Sequence, residues 1–170
     1  MRYASIRKMD ISNGEGIGVA LFVQGCDRHC YNCFNPDTWD FNGGKEWDEK
    51  SHADFMFYVS RRYVSRVSIL GGEPLDERNI HTVTEILKEC KDYYGDNVKV
   101  WLWTGYKFEE VRGLEAMKHI DYLVDGEYID SQRDSTLKWR GSRNQRLIDV
   151  QKSLQNNMVI SLGGNDYVRT

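Results

Sequence analysis

Four times along the chain, a short apolar run stops at a polar or glycine-bearing turn. Gly18–Val23 runs into Gln24-Gly25-Cys26, and residues 67–70 run into Gly71-Gly72-Glu73-Pro74. Residues 98–103 stop at Thr104-Gly105, and residues 122–124 at Asp125-Gly126. Each run is short and β-prone. Between them lie stretches with apolar residues at helical spacing, over 53–64, 79–93 and, with a break at Gly113, 108–117. Strand–helix alternation predicts a mostly parallel sheet. In such sheets ligands gather at the carboxyl ends of the strands, so the four turns are expected to meet on one rim. A complete eight-unit barrel takes about 250 residues, and this chain has 170. The expected architecture is therefore an α/β partial, open β/α barrel forming a single domain over residues 1–170. Residues 38–50 read as an exposed loop, and 146–150 and 158–161 as the last strands. Trp101 and Trp103 are expected to alternate between the two faces of their strand.

Charge narrows the partners. With 23 basic and 26 acidic residues the net charge is −3. No basic field points to nucleic acid or to an anionic membrane surface. The longest early apolar run, residues 17–23, is too short to span a bilayer and lacks the flanks of a secretory signal. The expected compartment is the reducing cytoplasm.

Three of the four cysteines, Cys26, Cys30 and Cys33, fall within eight residues as C-x3-C-x2-C. In a reducing compartment such clusters serve as metal ligands or catalysts more often than as disulfides. Three thiolates on one loop can hold three corners of a 4Fe–4S cluster, which ordinarily takes four. Cys90 sits on the apolar side of the predicted helix 79–93 and reads as a small buried hydrophobe. One iron is then left open to a substrate or cofactor, by the logic that separates catalytic from structural zinc sites. A structural zinc site with His29 or another residue as fourth ligand is the competing reading, but a second distant ligand group is missing.

A C-x3-C-x2-C loop after a first strand, with GGEP after a second, resembles the radical S-adenosylmethionine superfamily. The segments DISNGEGIGVALFVQGC, CFNPDTW, WLWTGY, DYLVDGEY and LKWRGSRNQ narrow the resemblance to the activases of anaerobic ribonucleoside-triphosphate reductases. They extend from Asp10 to Gln145. Three positions depart from that pattern: Glu15 stands where the family usually has proline, Gly18 where it has a basic residue, and Asn32 where the superfamily often has an aromatic.

The resemblance implies specific roles. Cys26, Cys30 and Cys33 ligate a 4Fe–4S cluster whose open iron is chelated by S-adenosylmethionine. Gly71, Gly72, Glu73 and Pro74 hold the cofactor's amino group, where glycines admit a close backbone approach. Asn32 and Phe34, flanking Cys33, lie beside the adenine. Thr104 bonds the methionine carboxylate or the ribose, or else caps a helix. Asp125 orients the ribose or a loop. Residues 139–145 either border the cofactor, grip the partner's peptide, or form a solvated loop. The implied reaction begins with one electron from a donor such as flavodoxin. It cleaves the sulfonium, and the resulting 5′-deoxyadenosyl radical takes hydrogen from a glycine of the reductase. Such chemistry needs no general acid–base pair. An activase of another glycyl-radical enzyme, such as pyruvate formate-lyase, and a non-catalytic iron–sulfur or zinc module are the alternatives.

Overall fold

The strand Gly18–Val23 is apolar along its whole length because both of its faces are covered. All six of its residues are buried. Residues 66–70 of Arg66–Gly71 are buried as well, though Arg66 and Ser68 are polar, and such enclosed strands are typical of a parallel sheet. In the computed structural model, which describes residues 1–163, the described residues form eight strands. These are β1 (Arg2–Asp10), β2 (Gly18–Val23), β3 (Lys45–Glu46), β4 (Arg66–Gly71), β5 (Lys99–Trp103), β6 (Tyr122–Asp125), β7 (Arg146–Asp149) and β8 (Ser161–Leu162). They make one mixed sheet in the order β3-β1-β2-β4-β5-β6-β7-β8. The pairs β2–β4, β4–β5 and β5–β6 are parallel. The outer pairs are antiparallel. Three of the seven pairs are parallel and four antiparallel, so the sheet is mixed rather than mostly parallel as expected, with the parallel pairs at its centre.

The four α-helices are α1 (Glu49–Val59), α2 (Ile80–Tyr94), α3 (Phe108–Val111) and α4 (Val150–Asn156). Residues from all of them share the main core cluster with Val19, Leu21, Val23, Val67, Ile69, Val100 and Leu102. The helices therefore cover one face of the sheet. The opposite face carries Ala20, Phe22 and Leu70 in one cluster and Trp101, Val124 and Leu147 in another. Trp101 and Trp103 both lie on this side, rings stacked with centroids 5.9 Å apart. The expectation that they alternate between faces is corrected here: residues two apart on a strand share a face.

Element ends were displaced by caps that hydrophobic spacing does not register. Helix α1 starts at Glu49 rather than 53 because Asp48 accepts from the Ser51 backbone N–H at 2.7 Å and from its hydroxyl at 2.6 Å. Asp149 caps α4 through the Lys152 N–H at 3.0 Å, so Val150 leaves the strand expected over 146–150. The strand expected over 158–161 is Ser161–Leu162. Strand β3 lies inside the region read as loop.

On the helix-free face a buried guanidinium closes the floor of the sheet. Arg66 is fully buried, and Asp10 is 3% exposed. Arg66 Nη2 donates to Asp10 Oδ1 at 2.9 Å and to the Asp10 carbonyl at 2.7 Å. Nη1 donates to Ser68 Oγ at 2.6 Å, and Nε to the Glu15 carbonyl at 3.1 Å. The Ser68 hydroxyl donates to the Asn13 carbonyl at 2.6 Å. Residues 10–17 are thereby folded beneath the strands. Gly14 makes the close turn possible: its φ is +114°, and a Cβ there would stand 2.8 Å from Arg66 Cδ and 2.9 Å from the Trp101 ring.

Removing one partner of such a pair leaves an uncompensated buried charge. Arg66→Met is expected to cost about 3–5 kcal/mol in urea unfolding, and combining it with Asp10→Asn is expected to recover part of that loss. Burial alone would push the Asp10 carboxyl up, but bonds from the Asn13 backbone, Arg66 and the Asn13 side chain outweigh it and hold its pKa below 3.8. The stability this supplies is present above the unfolded value of about 3.9 and is lost as pH falls below it toward the lower folded pKa. In Asp10→Asn that acid-dependent component is expected to vanish.

Candidate functional site

The cysteine loop is pinned where it leaves β2 and where it returns. The Gly25 N–H donates to the Thr38 carbonyl at 2.7 Å and the Cys26 N–H to the Trp39 carbonyl at 2.9 Å. Within the loop, the Cys33 N–H donates to the Cys30 carbonyl at 3.1 Å, and His29 and Asn32 adopt left-handed φ of 48° and 54°. The His29 ring stacks on Trp39 with centroids 4.6 Å apart. All four cysteines are free thiols.

The GGEP turn extends the parallel pairing past the end of β4. The Gly72 N–H reaches the Val23 carbonyl at 2.9 Å and the Glu73 N–H the Gly25 carbonyl at 2.8 Å. A Cβ on Gly72 would stand 2.4 Å from the Gly25 carbonyl oxygen, so only glycine lets the turn lie against the start of the cysteine loop. The Glu73 side chain, 3% exposed, is shared among strand ends. Its Oε1 accepts from the Thr104 hydroxyl at 2.6 Å and the Leu75 N–H at 3.1 Å, and its Oε2 accepts from the Gly105 N–H at 2.8 Å. Arg28 of the cysteine loop places Nε 3.4 Å from Oε2, an ion pair without hydrogen-bond geometry. The Arg28 guanidinium also lies over the Tyr106 ring, 4.1 Å from its centroid. Burial pushes the Glu73 pKa up, and the bonds from Thr104, Gly105 and Leu75 together with Arg28 pull back part of that shift.

A cavity of about 440 Å³ opens on the helix-free face above these contacts. Cys26, Cys30 and Cys33 line it, as do Phe34, Gly71, Gly72, Glu73 and Thr104. The strand ends and the cysteine loop thus meet as the sequence predicts. Three expected residues stand elsewhere. Asn32 is exposed outside the cavity, its Nδ2 donating to Asp130 Oδ2 at 3.2 Å. Pro74 is buried behind the turn. Asp125, 1% exposed, points into the packing behind the strand ends, where it accepts from the Phe108 N–H at 2.7 Å and from Arg146 Nε at 3.0 Å.

Sequence reasoning missed Arg28 and Tyr128 as wall residues. Arg140 and Gln145 fall in segment 139–145, which the sequence leaves between a solvated loop, a cofactor border and a peptide grip. The structure makes it a wall: Trp139, Arg140, Gly141 and Gln145 line the cavity. Gly141 is pressed against Phe34, whose ring would lie 2.7 Å from a Cβ there.

The donor set bears on the metal readings. Among the described residues no three His, Cys, Asp or Glu side chains converge on one metal-ion position, as a zinc site requires. A 4Fe–4S cluster instead gives each thiolate its own iron, and three unpaired thiols on one cavity wall fit that demand. Burial, with Glu127 adding repulsion, pushes the Cys30 thiol up to about 11. Burial likewise raises Cys26. A thiolate at either position needs a cationic partner, which iron supplies.

Comparison with known proteins supports an iron–sulfur cofactor. Residues 12–148 match the family model described as a 4Fe-4S single cluster domain. The chain is also 35% identical over 147 residues to the anaerobic ribonucleoside-triphosphate reductase-activating protein of Enterobacteria phage T4, covering 86% of this chain and 93% of that one. The protein of the same name from Pasteurella multocida is 34% identical, with 85% and 95% covered. That from Escherichia coli K12 is 31% identical, with 85% and 96% covered. The chain therefore belongs to the family of anaerobic ribonucleoside-triphosphate reductase-activating proteins and carries their 4Fe-4S single cluster domain. Among the described residues no helix is long and apolar enough to cross a membrane.

The close approach at Gly72 is testable. Gly72→Ala places a methyl against backbone rather than against a flexible side chain. It is expected to cost about 1–3 kcal/mol in chemical unfolding, with a loss of iron retained after anaerobic reconstitution. Gly113→Ala, which meets nothing within 4 Å, is expected to leave the iron content unchanged.

Proposed function

We propose that this chain holds a 4Fe–4S cluster through Cys26, Cys30 and Cys33, binds S-adenosylmethionine in the adjoining cavity, and installs a glycyl radical on anaerobic ribonucleoside-triphosphate reductase. The observation that carries the reading is the meeting of three free thiols and the GGEP turn on one cavity. When bound, cluster and cofactor together supply one-electron cleavage of a sulfonium carbon–sulfur bond and abstraction of a hydrogen atom. A one-electron donor such as flavodoxin completes the reaction. In the same reading the mixed sheet is a partial, open barrel of the radical S-adenosylmethionine type.

The chain's own residues position and exclude. The carboxylate of Glu73 is already engaged by Thr104, Gly105 and Leu75. Within Gly71-Gly72-Glu73-Pro74 the backbone is what remains for the cofactor's amino group. Thr104 spends its proton on Glu73 and accepts from the Tyr106 N–H at 3.1 Å, so its part is to hold the rim in place. Asp125 acts on the same rim from behind, by anchoring the start of α3 and Arg146. Phe34 offers a ring to the adenine from the cavity wall. The apolar floor of Phe22, Leu70 and Trp103 keeps water from the reacting centre.

Cys90 is excluded from ligation by place: it is 1% exposed in the helix-side core, with Sγ 4.0 Å from Met56 Sδ, and burial pushes its thiol up to about 12. After anaerobic loading with iron and sulfide, Cys26→Ala, Cys30→Ala and Cys33→Ala are each expected to lose cluster absorbance and formation of 5′-deoxyadenosine. Cys90→Ala is expected to keep both. A wild-type protein that takes up only zinc, or a loaded one that yields no 5′-deoxyadenosine with reductant and reductase present, would defeat the proposal.

A further inference from the structure

Four arginines face the cavity: Arg7, Arg28, Arg133 and Arg140. Two have carboxylates, since Arg7 lies 3.7 Å from Asp10 and Arg28 lies 3.4 Å from Glu73. Arg133 is exposed at the mouth, its guanidinium 5.3 Å from the Phe34 centroid. Arg140 is different. Its Nη1 donates to the Gln145 carbonyl at 3.2 Å, and its Nε, like that of Arg28, is buried without a hydrogen-bond partner, but among the described residues it has no ion pair such as Arg28 makes with Glu73. Its backbone is fixed on both sides. Before it, the Trp139 carbonyl accepts from Trp103 Nε1 at 2.8 Å. After it, the Gly141 N–H donates to Gln145 Oε1 at 2.8 Å, and Gln145 Nε2 donates to the Gly126 carbonyl at 2.9 Å.

A buried cationic donor left unmatched is costly. The bond through Nη1 occupies one end of the guanidinium and leaves Nε, beside Nη2, without a protein acceptor among the described residues. The Nε–Nη2 edge is the fork that grips a carboxylate with two parallel bonds. We propose that Arg140 is a ligand-positioning residue whose Nε–Nη2 edge holds a carboxylate entering the cavity. This rests on the function proposed above. Two sources can bring that group: the α-carboxylate at the amino-acid end of S-adenosylmethionine, or a carboxylate on the reductase segment that reaches the cavity.

The test measures binding by equilibrium dialysis on anaerobic, cluster-loaded protein, comparing wild type, Arg140→Gln and Arg140→Lys. The probes are S-adenosylmethionine and its decarboxylated analogue, followed by capture of the reductase at saturating S-adenosylmethionine. If the cofactor brings the group, Arg140→Gln weakens S-adenosylmethionine by roughly tenfold to a hundredfold and leaves the decarboxylated analogue unchanged. If the reductase brings it, both small molecules bind as in wild type and capture of the reductase weakens by a similar factor. Arg140→Lys keeps the charge but lacks the fork, so it is expected to fall between wild type and Arg140→Gln in either case, and it carries the comparison should Arg140→Gln fold poorly. Equal weakening of both small molecules, or no change in any arm, overturns the assignment of Arg140 alone. Failure of wild-type protein to bind S-adenosylmethionine overturns the proposed function with it.

Discussion

One carboxylate gathers the working end of this protein. Glu73 is almost wholly withdrawn from water and divides its two oxygens among Thr104, Gly105 and Leu75, with Arg28 drawn in from the cysteine loop. The ends of two parallel strands and the cysteine loop therefore share one anion. Burying that charge is unfavourable by itself. The donors make it tolerable, and because Thr104 and Gly105 follow one strand while Arg28 comes from the cysteine loop, its cost is met in full only when those two segments are both in place beside the turn. The rim is in this sense an all-or-none assembly, and the cavity is its by-product.

Much of this was legible in the residues. Continuous apolar runs located β2, β4, β5 and β6, and the polar turns that end them did converge. The cysteine spacing, the GGEP turn and segment 139–145 all border one cavity. Strand β1 went unread because it lies toward the edge of the sheet. Its exposed Ser5, Arg7, Lys8 and Met9 dilute any alternation, and only Arg2 and Tyr3 pair with β3. Helix starts at Glu49 and Val150 were set by single capping aspartates, which act through one or two backbone donors and leave no mark on hydrophobic spacing.

Side-chain direction was the harder question. Thr104 and Asp125 were both chosen because they end strands beside glycine. Thr104 faces the cavity yet gives its hydroxyl proton to Glu73, while Asp125 turns back toward Phe108 and Arg146. Position in a motif fixes where the Cα lies; which neighbour claims the side chain depends on partners far away in the chain. Arg140 shows the converse. Nothing in its local sequence separates it from Arg143, and only the folded wall reveals that one of its nitrogens has no acceptor.

The floor beneath the cavity has an evolutionary consequence. Gly18 and Arg66 are register partners on adjacent parallel strands. A side chain built on position 18 would begin 2.4 Å from Arg66 Cγ and 2.8 Å from its carbonyl oxygen. The guanidinium arm of Arg66 occupies the space that a side chain at position 18 would need. Placing a long residue at 18 while Arg66 remains would crowd two occupants into one berth. The two sites are thus free to drift only in step, and lineages that differ at one are expected to differ at the other.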